Sequence, residues 1–221
     1  MKPIYIKVND EDKLVTPNLA KGIKVYGEKL VEKNGIEYRI WDPYRSKLAA
    51  AILKGLEEIP IKEGSKVLYL GASTGTTSSH VSDLIGKEGI IFAVEVSPRV
   101  AREFLERVAK YRKNVVPILQ DARKPQEYGT IFGKVDLVYC DVAQPDQTDI
   151  AILNCKLYLR NNGYLLLVIK ARSIDVVKEP KEVYKEEVDR LEKNGFKVVK
   201  LINLEPFDKD HAMILAKFHQ E

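Results

Sequence analysis

Residues 66–83 read KVLYLGASTGTTSSHVSD, and their reading decides the fold. An apolar run, Val67 to Leu70, stops at Gly71, a loop of small residues follows, and a Ser/Thr-rich segment then enters a helical pattern. A second apolar run, Ile90 to Val94, ends in Glu95, an acid placed where it can hold a ribose hydroxyl. Strand, small-residue loop, helix, strand and acid describe a pocket for a nucleoside-bearing cofactor. The phosphate fingerprint G-x-G-x-x-G is absent, because the spacing in Gly71-Ala72-Ser73-Thr74-Gly75-Thr76 is wrong, and there is no P-loop. Glycines four apart, followed by Thr76-Thr77, suit a cofactor without a phosphate, such as S-adenosylmethionine. An ordinary strand-to-helix turn and a degenerate dinucleotide site are the competing readings.

Outward from this stretch, strands and helices alternate. Strands are expected at 66–71, 90–96, 115–121, 134–142, 163–170, 197–204 and 211–218, and helices at about 76–86, 98–112, 147–160 and 180–194. Such alternation predicts a parallel sheet covered on both faces. The last two strands are joined only by 205–210, too short for a helical crossover, so they pair antiparallel. The expected class is α/β: a Rossmann-like, seven-stranded, mostly parallel methyltransferase sheet with a terminal antiparallel hairpin, which dehydrogenases lack. Residues 1–42 differ from the rest. Short alternating runs at 4–8, 14–15, 22–26, 29–31 and 36–41 are separated by turn signals, including Asn34-Gly35, and read as a small antiparallel β subdomain. Asp42-Pro43 ends it, a helix is expected from Arg45 to Glu57, and 43–221 forms the catalytic domain.

Composition narrows the class further. Hydrophobic residues make up 45% of the 221, ordinary for a globular core. No apolar run approaches the ~20 residues that span a bilayer, and the start MKPIYIKV is not a signal peptide, so a cytoplasmic protein with no membrane partner is expected. Cys140 and Cys155 lie in apolar contexts without metal-ligand spacing and read as free buried thiols. The charged fraction of 31% is compatible with a thermophilic source. A net charge of +4 permits RNA contact without demonstrating it.

In an open α/β sheet the site lies at the carboxyl ends of the strands. There the sequence sets Gly71, Glu95, Asp121 with Ala122, Asp141 with Gln144, and Lys170; His211 opens the reversed strand at the same edge, and Lys47 sits near the start of the preceding helix. Each has a bland alternative. Asp121 and Asp141 are good helix caps, Lys47 is one lysine among many, and His211 can be a structural histidine. Lys170 ends an apolar run, so it is partly desolvated and harder to dismiss.

The residues resemble the archaeal fibrillarin family, the methyltransferases of box C/D guide ribonucleoproteins. The likeness rests on WDPYRSKLAAAIL (41–53), YLGASTGTTSSHVSD (69–83), AVEVSPR (93–99), DARKP (121–125), YCDVAQPDQ (139–147), IKARSID (169–175) and DHAMI (210–214). Seven segments in order, over essentially the whole chain, make it specific. The loop residues Ala72-Ser73-Thr74 and the pair Ser78-Ser79 depart from the family pattern without removing a group of chemical role. The resemblance implies methyl transfer from S-adenosylmethionine to ribose 2′-hydroxyls of ribosomal, and in some cases transfer, RNA. It implies a catalytic set of Lys47, Asp141, Lys170 and His211. It implies cofactor contacts at Gly71, Ala72, Thr76, Thr77, Glu95, Val96, Asp121, Ala122, Asp141, Val142, Ala143 and Gln144. It also implies a Nop-domain scaffold protein, a kink-turn-binding protein and a box C/D guide RNA as partners.

The chemistry suits these residues. A ribose hydroxyl is a weak nucleophile, so the enzyme must align it and remove one proton, alignment alone being worth roughly 7–11 kcal/mol. Lys170 is the expected proton acceptor, Asp141 holds it, and Lys47 and His211 position the ribose or its phosphate. A nearly balanced surface fits an enzyme that leaves target choice to a guide and scaffold. Two competitors remain: a methyltransferase for another acceptor, and an assembly module that binds the cofactor without transfer.

Overall fold

The structure, a computed structural model, describes residues 1–129 and 133–219. Two sheets organise it. The first joins β1 (Ile4–Val8), β2 (Glu11–Pro17), β3 (Leu30–Lys33) and β4 (Ile36–Ile40) in the order β1-β2-β4-β3, every pair antiparallel. Asn34 (φ +54°) and Gly35 (φ +76°) turn the β3–β4 hairpin with both central residues left-handed, which is why Asn-Gly stands there. The run 22–26 is not a strand, contrary to its alternation. The Glu28 carboxylate accepts the main-chain N–H groups of Val25 (3.0 Å) and Tyr26 (2.9 Å), the donors a strand would have used in pairing.

The second sheet carries the site. Its strands are β5 (Lys66–Leu70), β6 (Ile90–Glu95), β7 (Val115–Leu119), β8 (Val135–Cys140), β9 (Leu159–Lys170), β10 (Phe196–Asn203) and β11 (His211–Phe218), ordered β10-β11-β9-β8-β5-β6-β7. β11 lies between β10 and β9, antiparallel to both, and the other ladders are parallel. Both faces are buried, as the apolar runs require. Val67 and Tyr69 of β5 enter one core, and the alternate residues Leu68 and Leu70 enter the other. The helices are α1 (Lys47–Leu53), α2 (Thr76–Ile85), α3 (Pro98–Arg107), α4 (Gln147–Tyr158), the short α5 (Ala171–Ile174) and α6 (Pro180–Glu192). Among the described residues, no helix is long and apolar enough to cross a membrane.

Several boundaries differ from the sequence reading. α1 is shorter than the expected 45–57, because Ser46 caps its start and Gly55, at φ +112°, turns the chain away after its end. α4 stops at Tyr158 and passes straight into β9, which starts four residues earlier than expected.

The two sheets are locked together by buried polar groups. Asp83 of α2 accepts from Thr16 (2.8 Å), the Leu19 N–H (2.9 Å), Arg39 (2.8 Å) and Arg112. Arg39 also binds Glu28 at 2.7 Å, and His80 is held between Thr16 (2.7 Å) and Tyr26 (2.8 Å) while stacking on Trp41. Leu14, Val25 and Trp41 add the small sheet's apolar residues to the larger core.

Candidate active site

The strand order reverses between β5 and β8, and this switch point is where an open α/β sheet opens a crevice. Gly71 follows β5 there, at φ +80°. A Cβ on it would stand 2.8 Å from the carbonyl oxygen of Asp141, so only glycine lets the loop cross the end of β8 this closely. The Gly71 and Ala72 N–H groups both donate to the Val94 carbonyl, which holds the loop beside β6. Glu95 is likewise fixed: its two oxygens accept the N–H groups of Ser73 (2.9 Å) and Ser97 (3.0 Å). Each oxygen keeps a lone pair, as a carboxylate must if it is to hold vicinal hydroxyls.

Two adjoining cavities open at this edge. The larger, about 300 Å³, is lined by Gly71, Glu95, Val96, Asp121, Ala122, Asp141, Val142, Ala143, Gln144 and Lys170, among others. The smaller, about 130 Å³, is lined by Arg45, Lys47, Ala72, Thr76 and Thr77 and shares Gly71 and Asp141. Every residue expected to touch the cofactor therefore faces one of the two. Asp121 forms a turn by accepting from the Arg123 N–H at 2.9 Å, and Arg123 is engaged by Asp146 and Gln144. Among the described residues, the larger cavity thus carries three carboxylates, with Lys170 its only basic residue. That lining is hostile to a pyrophosphate and suited to an uncharged nucleoside bearing a cationic sulfur, so the residues fit S-adenosylmethionine. Larger cavities lie under the small sheet and at the opposite sheet edge, without this constellation.

Around Asp141 the expected catalytic residues form a chain of ion pairs. Lys170, at the end of β9, sets its Nζ 2.8 Å from Asp141 Oδ1 and donates to the Asp141 carbonyl at 3.0 Å. Lys47, in the first turn of α1, reaches Asp141 Oδ2 at 3.2 Å. Ser46 fixes its helix start, capping α1 and meeting the Thr77 hydroxyl at 2.9 Å. His211 pairs in register with Lys170 across β11 and β9 but lines neither cavity. It joins the chain through Asp208, whose two oxygens stand 3.0 Å from His211 Nδ1 and 3.8 Å from Lys47 Nζ. The Lys209 carbonyl also faces Nδ1, at 2.6 Å, so with acceptors on both sides Nδ1 carries a proton.

Asp208 is the residue the sequence reading missed. It lies in the short β10–β11 connection, where an acid reads as turn chemistry; its place three residues before His211 was the available signal. Both cysteines are buried free thiols. Burial pushes the Cys140 thiol up to about 12, so it is core packing beside the site and no nucleophile.

Comparison with known proteins identifies a family. The fibrillarin family model matches residues 1–220. The chain is 58% identical over 206 residues to a fibrillarin-like rRNA/tRNA 2′-O-methyltransferase of Sulfurisphaera tokodaii, covering 93% of this chain and 88% of that protein. Aeropyrum pernix fibrillarin, solved in complex with natively bound S-adenosyl-L-methionine, is similar with a TM-score of 0.87 and 51% identity, over 94% of this chain and 90% of that one. The fibrillarin chain of a fibrillarin/Nop5p complex is similar with a TM-score of 0.87 and 42% identity, over 97% of each chain.

Proposed function

This chain belongs to the fibrillarin family, and on that premise we propose that it is the methyl-transferring subunit of a box C/D guide ribonucleoprotein. It carries a methyl group from S-adenosylmethionine to ribose 2′-hydroxyls of ribosomal RNA, and of transfer RNA where a guide directs it. Its partners are a Nop-domain scaffold protein, a kink-turn-binding protein, the guide RNA and the substrate RNA, in the cytoplasm. The observation that supports this reading most is the Lys47–Asp141–Lys170 chain, with pairs of 3.2 and 2.8 Å at the mouth of an acidic nucleoside-sized cavity.

Bound S-adenosylmethionine supplies a methyl on a positively charged sulfur, already activated for transfer. Glu95 and Asp121 take the sugar and base end of the site, and Gly71 with Ala72 lets the backbone approach. Asp141 fixes the direction of Lys170 Nζ and shares its charge with Lys47, so that neither lysine owns the carboxylate alone. Lys170, as the neutral amine left once its ammonium proton has passed to solvent, accepts the hydroxyl proton, and Lys47 and His211 hold the ribose and its phosphate in line.

Removing Lys170 takes away general-base help, typically 10²–10⁴-fold, but no cofactor contact of Glu95, Asp121 or the loop. In a reconstituted complex, Lys170→Ala therefore lowers the single-turnover rate by about that range, with cofactor affinity nearly intact. An unchanged single-turnover rate removes this role from Lys170.

A further inference from the structure

A second cavity meets the active site at Arg45. It is the groove between the small sheet and the catalytic domain, about 620 Å³, walled by Tyr26, Trp41, Tyr44, Arg45 and Leu53 among others. Arg45 also lines the cavity that holds Lys47 and Asp141, so the groove borders the catalytic rim. Two side chains stand out at the junction. Tyr44 is 68% exposed, although it is a large aromatic residue. Its backbone N–H is fixed on Asp42 Oδ1 (2.8 Å) and its ring rests against the ring of Phe207 at 5.1 Å, inclined by 73°. Arg45 has its guanidinium 5.7 Å from the centre of the Tyr26 ring, and no carboxylate lies within 4 Å of it among the described residues. The buried acid of the groove, Glu28, is already engaged by Arg39 and by two main-chain N–H groups.

An exposed, edge-braced aromatic ring beside a guanidinium that no carboxylate neutralises is a combination suited to single-stranded nucleic acid, the ring stacking a base and the guanidinium meeting a phosphate. Resting on the function proposed above, we infer that the groove receives the nucleotide next to the methylated ribose, with Tyr44 stacking on its base and Arg45 holding the intervening phosphate. The small sheet then has a part in the reaction, as one wall of the substrate channel. The site is sequence-tolerant, since every base has a stacking face; target choice stays with the guide.

The test uses the complex reconstituted with scaffold, kink-turn protein, guide RNA and a substrate RNA carrying 4-thiouridine beside the target nucleotide. Irradiation is expected to crosslink that nucleotide to Tyr44 or its neighbours, and Tyr44→Ala is expected to slow methyl transfer about tenfold, with Tyr44→Phe restoring most of the rate. Arg45→Ala should make transfer less sensitive to salt, by the loss of one phosphate contact. Calorimetric affinity for S-adenosylmethionine should not change in any of the three. Crosslinks confined to the scaffold or the guide, or full-rate transfer by Tyr44→Ala in a complex whose wild type is active, overturn the inference and leave the catalytic reading standing. A wild-type complex that binds the cofactor and methylates no ribose overturns both.

Discussion

Two regions of this molecule solve the same electrostatic problem in opposite ways. In each, one carboxylate lies between two cations: Asp83 between Arg39 and Arg112, and Asp141 between Lys47 and Lys170. The Asp83 group is sealed, with all three side chains at 0% exposure, and its cations are planar guanidinium groups tied to further partners. The Asp141 group is open, with its side chains 14–23% exposed, and its cations are ammonium groups on flexible stems. A guanidinium keeps its charge and its geometry, whereas an ammonium can yield a proton and turn toward a ligand. The sealed group holds two sheets in register; the open one is left able to react.

The largest test of that contrast removes the small sheet altogether. Thr16, Leu19 and Arg39 supply three of the donors to Asp83, so deleting residues 1–42 leaves that carboxylate with Arg112 alone and uncovers Trp41's neighbours in the core. The remaining 43–221 is expected to show no cooperative thermal transition. A cooperative transition together with cofactor uptake would make the small sheet an independent appendage.

A point change asks the same question more finely. Asp83→Ala leaves Arg39 and Arg112 buried without their shared partner and should lower the unfolding free energy by about 3–5 kcal/mol in urea. Asp141→Ala should lower it by less and stop transfer. Equal losses of stability would erase the distinction between the two groups.

The smallest effect concerns acid. Burial, reinforced by the charges of Arg39 and Arg112, pushes the His80 imidazole well below its ordinary value, so the folded chain keeps it neutral. In the unfolded chain it takes up a proton near pH 6.5. Stability is therefore complete above that pH and falls below it, by at most ~1.4 kcal/mol per pH unit from this one group. Denaturation between pH 7 and 5 should show this loss in the wild type and a smaller one in His80→Asn.

The same contrast explains what could be read from the sequence. Strand ends are marked by a change from apolar to polar, so Gly71, Glu95, Asp121, Asp141 and Lys170 stood out one by one, and the topology brought them to one edge. The hairpin of β10 and β11 followed from the length of its connection. What stayed hidden depended on contacts between distant side chains. Nothing local separates Asp83, Arg39 or Arg112 from surface charges, yet their side chains are fully buried. Asp208 was hidden for the same reason, since its meaning lies in Lys47, which is remote in sequence. The segment 22–26 is a local exception: it alternates like a strand, and the nearby Glu28 carboxylate takes the N–H groups it would have paired with.

The destination of the methyl group decides between these readings most directly. The reconstituted complex, supplied with S-adenosylmethionine labelled with carbon-13 in its methyl group, should yield RNA in which mass spectrometry finds the label on the 2′-oxygen of the guide-specified ribose. Label on a base, on a partner protein, or nowhere, from a complex that has bound the cofactor, would contradict it.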